Sequence, residues 1–129
     1  LHDALPIYAL SNLSSLQNKT IMKDLERTVN YIDTLTDYTL DKNSYLYGRL
    51  LIHLKCLFNR LITDEKKTFD RTFMDEVSRS LKIAHGEEWE YAAKISDFMK
   101  SELHLNVSDE EAAYLTMHIV PILKQKGGK

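Results

Sequence analysis

The sequence predicts an all-α fold, a compact bundle of five helices, and three observations predict it. Between Ile7 and Val120 the only glycines or prolines are Gly48 and Gly86, whereas a β-sandwich or barrel needs Gly/Pro-rich turns every few residues. Apolar residues recur at steps of three and four along the whole chain, which is the period of one helix face. The stretches between these runs are short and polar and carry residues that cap helices.

The first segment runs over about Lys19–Tyr38, with Ile21, Leu25, Val29, Ile32 and Leu35 on one face and Asn18 or Thr20 as cap. The polar stretch Thr39–Ser44 interrupts the period. The second segment, about Tyr45–Ile62, carries Leu46, Leu50, Leu54, Leu57, Phe58 and Leu61, with Ser44 or Asn43 as N-cap. Thr63–Thr68 reads as a solvated link. The third, about Phe69–Ile83, places Phe69, Phe73, Val77 and Leu81 at i, i+4 steps and ends where Gly86 suits a left-handed C-terminal residue. The fourth, about Glu87–Leu103, has Tyr91, Ala92, Ile95, Phe98 and Met99 on one face; Glu87, Glu88 and Glu90 crowd its positive end. The fifth opens with the capping box Ser108-Asp109-Glu110-Glu111 and buries Ala112, Leu115, Ile119 and Ile122. Pro121 is expected to end or bend it. Residues 1–18 read as a linker or the tail of a preceding domain, 19–123 as the domain, and 124–129 as a disordered tail.

Composition removes whole classes of function. The chain is 43% hydrophobic and 28% charged, and so globular. Lys+Arg 17 against Asp+Glu 19 gives a net charge of −2, with no global basic field for nucleic acid. One cysteine, Cys56, allows neither an internal disulfide nor a multi-cysteine zinc site. No apolar run approaches a membrane span and no signal peptide is visible. The first residue is not Met, so a fragment or processed chain is expected. Two internal glycines leave no room for a P-loop or G-x-G-x-x-G, and no G-x-S-x-G elbow is present. No two histidines stand at the i, i+3 or i+4 spacing of a helical metal site, so no metal and no cofactor is expected.

Five histidines remain: His2, His53, His85, His104 and His118. His2 lies in the lead-in, and His85 and His104 fall at helix ends, where a cation meets the negative pole of the dipole. His53 and His118 stand apart. On a wheel of about 100° per residue, each lies at the edge of an apolar stripe, His53 beside Arg49 and Arg60, His118 beside Tyr114 with Glu111 two turns back. An edge imidazole either simply packs or is held by packing while one nitrogen stays reachable. Composition and spacing alone leave both readings open.

Two stretches decide which family the chain resembles. His53-Leu54-Lys55-Cys56-Leu57-Phe58-Asn59-Arg60-Leu61 resembles the H-L-K-F-x-x-x-R-L signature of the PTS regulation domain, or PRD. Cys56 stands where the aromatic is usual, a tolerable packing change. Ser108 to Ile119, with Tyr114-Leu115-Thr116-Met117-His118-Ile119 at its end, resembles the second PRD signature, an acidic helix start followed by Y-L-T-x-H-I. The resemblance covers about Met22–Leu123 and is greatest to the second PRD of BglG/SacY-type transcriptional antiterminators. It implies a regulatory, non-enzymatic, cytoplasmic, homodimeric module of a bacterial sugar-operon regulator. His53 and His118 would accept phosphoryl groups from HPr or a sugar-specific EIIB of the phosphotransferase system. Arg60, inside the matched motif, would neighbour the phosphate, and Arg49 is a further candidate from its place on the wheel. RNA would be bound only through a domain outside this chain, and nothing would insert in a membrane.

Three other readings stand beside this one. A PRD of a DNA-binding activator would differ upstream, with a helix-turn-helix in place of a small β-rich RNA-binding domain. A histidine phosphotransfer carrier is also a helical bundle, but it wants Lys three residues after His and then a small residue. Here Lys55 is two after His53 and Cys56 takes the third place. A helical interaction module whose histidines merely pack is the third.

Overall fold

A computed structural model of the chain describes residues 15–63 and 70–127. Among the described residues five helices follow one another: α1 Ser15–Leu35, α2 Tyr45–Ile62, α3 Arg71–Ala84, α4 Gly86–Glu102 and α5 Asp109–Gly127. Among the described residues there is no strand. Expected features of residues 1–14, 64–69, 128 and 129, including His2, Phe69 and most of the Thr63–Thr68 link, lie outside the described residues.

The predicted stripes build the core. Ile21, Leu25 and Ile32 of α1 meet Leu50, Leu54, Leu57 and Phe58 of α2, Ala92, Ile95 and Met99 of α4, and Leu115, Ile119 and Ile122 of α5. α5 packs on α4, α2 and α3, and α1 on α2 and α4. Tyr31 and Phe98 stack at 4.5 Å between centroids, joining α1 to α4. Two core threonines, Thr28 and Thr116, are fully buried. Each hydroxyl donates to the carbonyl four residues back, Thr28 to Asp24 at 2.8 Å and Thr116 to Ala112 at 2.9 Å, so neither is left unsatisfied.

Helix ends explain where the elements stop. Ser44 caps α2, its hydroxyl accepting from the Tyr47 N–H at 3.1 Å. Asp70 caps α3 through the Phe73 N–H at 2.9 Å, a start signal the period alone missed. α1 ends in a Schellman-type return: Tyr38 N–H donates to the Asp33 carbonyl and Asp37 N–H to that of Thr34. Asp37 and Tyr38 take positive φ there, 53° and 58°. The loop is fastened by Lys42, whose ammonium lies 2.7 Å from the buried Asp33 carboxylate.

Several expectations are corrected. α1 begins at Ser15, four residues before Lys19, so neither Asn18 nor Thr20 caps it; the Thr20 hydroxyl instead donates within the helix, to Leu16. α5 continues through Pro121 to Gly127, so the proline does not end it and the tail is helical to that point. Gly86 has no positive φ; it opens α4, and His104 makes the left-handed turn after α4, at φ 57°. The face expected of α3 is turned. Met74 is its buried residue, Val77 and Leu81 are half-buried, and Phe73 is 58% exposed. α3 lies at the edge of the bundle, packed chiefly against α4 and α5. In α5, Ala113 is fully buried and Ala112 only partly.

Candidate functional site

α2 and α5 run antiparallel, and their register builds the site. His53 on α2 faces His118 on α5, with ring centroids 3.6 Å apart and planes 18° from parallel. Arg60 lies seven residues after His53, and Glu111 lies seven before His118. Seven residues are about two helical turns, so the second couple falls opposite itself as the first does. Arg60 and Glu111 meet in a bidentate ion pair, Nε to Oε2 at 3.1 Å and Nη2 to Oε1 at 2.7 Å. Their side chains are only 12% and 8% exposed.

Tyr114, between Glu111 and His118 on α5, links the two couples. Its hydroxyl lies 2.9 Å from His53 Nδ1. Its ring meets that of His118 edge-on at 4.5 Å, and the Arg60 guanidinium lies 5.2 Å from its centroid. A continuous polar seam therefore runs Glu111, Arg60, Tyr114, His53, His118 between α2 and α5. Burial works against the Arg60 charge, but the hydrogen bonds and charge of Glu111 outweigh it and hold the guanidinium above its ordinary range. Burial raises the Tyr114 phenol above its ordinary value, against the pull of Arg60, so the hydroxyl keeps its proton at neutral pH.

The sequence-predicted residues divide accordingly. His53, His118 and Arg60 come together. Arg49 turns to Tyr45 instead, its Nη1 donating to the hydroxyl at 3.3 Å and its guanidinium lying 5.8 Å from the ring. His85 joins α3 to α4 and lies 3.9 Å from Glu88; His104 is exposed. Ser108 caps α5 through the Glu111 N–H at 3.3 Å, but the Glu111 carboxylate goes to Arg60, so only the serine half of the capping box forms. Sequence reasoning named Tyr114 and Glu111 as surroundings of His118 and gave neither a role. The signal that could have found Glu111 is the opposite charge at matching seven-residue offsets from two histidines, running in opposite directions.

Chemically, the site offers two half-buried imidazoles. Imidazole is a nucleophile near neutral pH because its ordinary pKa lies close by. No group of three or more His, Cys, Asp or Glu side chains among the described residues is arranged to hold a metal ion. None of the described helices is long and apolar enough to cross a membrane.

Comparison with known proteins covers the same elements. A family model described as PRD domain matches residues 26–121. Transcription antiterminator LacT of Lacticaseibacillus casei is 30% identical over 83 residues, 64% of this chain and 28% of LacT. Protein GlcT of Staphylococcus epidermidis is 26% identical over 117 residues, 91% of this chain and 37% of GlcT. Protein GlcT of Staphylococcus aureus (strain Newman) is 26% identical over 106 residues, 81% of this chain and 36% of that protein. The chain thus spans between 28% and 37% of the length of these curated relatives. No solved structure gives a significant match.

Proposed function

The chain belongs to the PRD family, and from that premise we propose that it is the phosphate-responsive regulatory domain of a bacterial sugar-operon antiterminator. The observation that carries this reading is the contact of His53 with His118. The two motif histidines, 65 positions apart in sequence, are stacked at 3.6 Å on facing helices. Histidines that merely fill an edge have no need to meet. Each would take a phosphoryl group from a phosphohistidine protein of the sugar phosphotransferase system, HPr or a sugar-specific EIIB. The domain has no catalytic residue of its own in this reading and works in the cytoplasm as a homodimer.

The new group brings a charge of about −1.5 to −2 and three strong acceptors into a seam between two packed helices. Arg60 is the guanidinium at hand, across the Tyr114 ring, but it is bound to Glu111. A phosphoryl group that recruits Arg60 must draw it from Glu111, which loosens the α2–α5 contact at its other end. That is a local charge event acting on a packed element able to take a second arrangement. RNA binding belongs to a part of the protein outside this chain, a reading supported by the name of LacT and by the near-neutral charge.

Incubation with phosphoenolpyruvate, enzyme I and HPr, and in parallel with a phosphorylated EIIB, tests this. Wild type is expected to gain an acid-labile phosphoryl mass. Gain by a control PRD and none by this chain with either donor refutes the phosphoacceptor reading. Gain that persists with both His53→Ala and His118→Ala refutes the site.

A further inference from the structure

The two histidines are too close to act as independent acceptors. We infer that His53 and His118 form one phosphoacceptor with two alternative seats: a phosphoryl group on either ring opposes phosphorylation of the other in the same protomer. This rests on the phosphoacceptor reading above and deepens it.

The transfer itself needs no further reactant. A lone pair on an imidazole nitrogen of one histidine attacks the phosphorus of a phosphohistidine donor. The new N–P bond forms as the donor's N–P bond breaks, and the electron pair of the broken bond returns to the donor's imidazole nitrogen. What distinguishes this site is where the product sits. The rings are stacked at 3.6 Å and 18°. A phosphoryl group projects from its ring nearly in the ring plane, so two of them would leave two nearly parallel planes one stacking distance apart. Whichever nitrogens were used, the phosphorus atoms would lie within about 7 Å, inside one Debye length at physiological salt. Two groups of about −1.5 to −2 charge at that distance repel enough, even at the dielectric of water, to disfavour the second transfer about tenfold at low ionic strength, and several-fold where physiological salt screens them.

The surroundings offer little relief. Tyr114 closes on both rings, its hydroxyl at 2.9 Å from His53 Nδ1 and its ring edge-on to His118 at 4.5 Å. The rings therefore cannot slide apart without disturbing the Tyr114 contact as well. The guanidinium that stacks on Tyr114 already has its charge matched by Glu111. Released from Glu111, Arg60 could neutralise one phosphoryl group and not two. Arg49, one turn before His53 on α2, is turned to Tyr45 instead, and the core residues of α2, Leu50, Leu54, Leu57 and Phe58, add no charge. The domain therefore reports one phosphoryl group or none, and donors that prefer different histidines compete.

Intact-mass spectrometry of the whole chain, phosphorylated by HPr with phosphoenolpyruvate and enzyme I, tests this against His53→Gln and His118→Gln. Circular dichroism verifies that both variants keep the wild-type helix content. Each variant is expected to accept one phosphoryl group. In a buffer of about 10 mM ionic strength, wild type is expected to accumulate the single adduct, with the double adduct about tenfold below the product of the two single-variant yields. A double adduct at that product overturns the inference and leaves the phosphoacceptor reading intact, as does a variant that accepts nothing while wild type accepts one. Failure of all three proteins beside a working PRD control overturns both.

Discussion

Glu111→Gln removes the charge that holds Arg60, and the structure sets the size of the effect. The carboxylate accepts two guanidinium hydrogen bonds, at 3.1 and 2.7 Å, where both side chains are nearly withdrawn from water. Hydrogen bonds to charged groups contribute about 1.5–3 kcal/mol each. Stripping one partner from a buried ion pair costs about 3–5 kcal/mol, because the remaining charge stays desolvated. Gln keeps one acceptor oxygen, so the low end, about 3 kcal/mol, is expected. For a domain of this size that corresponds to a melting temperature lower by roughly 10–15 °C. Urea unfolding followed by circular dichroism measures it. Arg60→Met with Glu111→Leu removes both charges and keeps most of the volume, so the double variant should return to within about 1 kcal/mol of wild type. With Arg60→Met and Glu111→Leu each costing about 3 kcal/mol alone, the double-mutant cycle should then give a coupling of about 5 kcal/mol in magnitude. Single changes that each cost under about 1 kcal/mol, or a purely additive double variant, would refute the claim that this ion pair holds α2 to α5.

Three further outcomes follow from the same structure. Tyr114→Phe deletes the hydroxyl at His53 Nδ1 while keeping the ring, so it should cost only about 1 kcal/mol yet shift the His53 imidazole nitrogen resonances in NMR; unchanged resonances would show that the contact does not persist in solution. Asp37→Gly places glycine at an exposed position with φ 53°, where a side chain is strained, and should raise stability by about 1 kcal/mol in thermal unfolding; a lower melting temperature would contradict the left-handed turn. Alkaline pH should destabilise the domain: burial raises the Tyr47 and Tyr114 phenols above 10.0, so the unfolded chain loses these protons first, and stability holds below about pH 9 and falls as pH climbs through 10 towards the folded values. Lys42, raised by its hydrogen bond to Asp33, acts with the same sign. Urea midpoints that stay flat to pH 11 would contradict the burial of both phenols.

Local patterning carried most of the fold and part of the site. The stripes of α1, α2, α4 and α5 were legible because each is buried against several neighbours, so period and burial coincide. α3 shows where that logic ends. Phe73, Val77 and Leu81 form an apolar row, yet the helix packs chiefly against α4 and α5 and buries Met74. Amphipathicity says that a face exists and not what covers it. Gly86 invited a left-handed assignment, but Asp37, Tyr38 and His104 adopt that conformation, because hydrogen-bonded returns at the ends of α1 and α4 impose it. In the site, the histidines were legible from their motifs. The wheel placed Tyr114 beside His118, but the roles of Tyr114 and Glu111 were not legible, since His53 and Arg60 lie on another helix and their contacts depend on the antiparallel register, which no single-helix wheel contains.

That register also bears on what a phosphoryl group could change. His53 with His118 and Arg60 with Glu111 are two rungs between the same helices, about two turns apart. One rung is stacked rings, the other a buried ion pair, and Tyr114 touches both. A charge added at the first rung repels nothing at the second while Arg60 stays with Glu111. If Arg60 moves to the new charge, the second rung loses its guanidinium and Glu111 is left as a desolvated anion. The Glu111 carboxylate must then reach water, and it sits one turn into α5, close to the exposed Ser108 and Asp109. The start of α5 is therefore the part of the domain that should move on phosphorylation, and the change should be smaller in Arg60→Met, which has no guanidinium to exchange. Hydrogen exchange of the amides from 108 to 113, compared between the phosphorylated and unphosphorylated chain, measures this. Equal exchange in the two states would place the response elsewhere and confine Arg60 to a structural role.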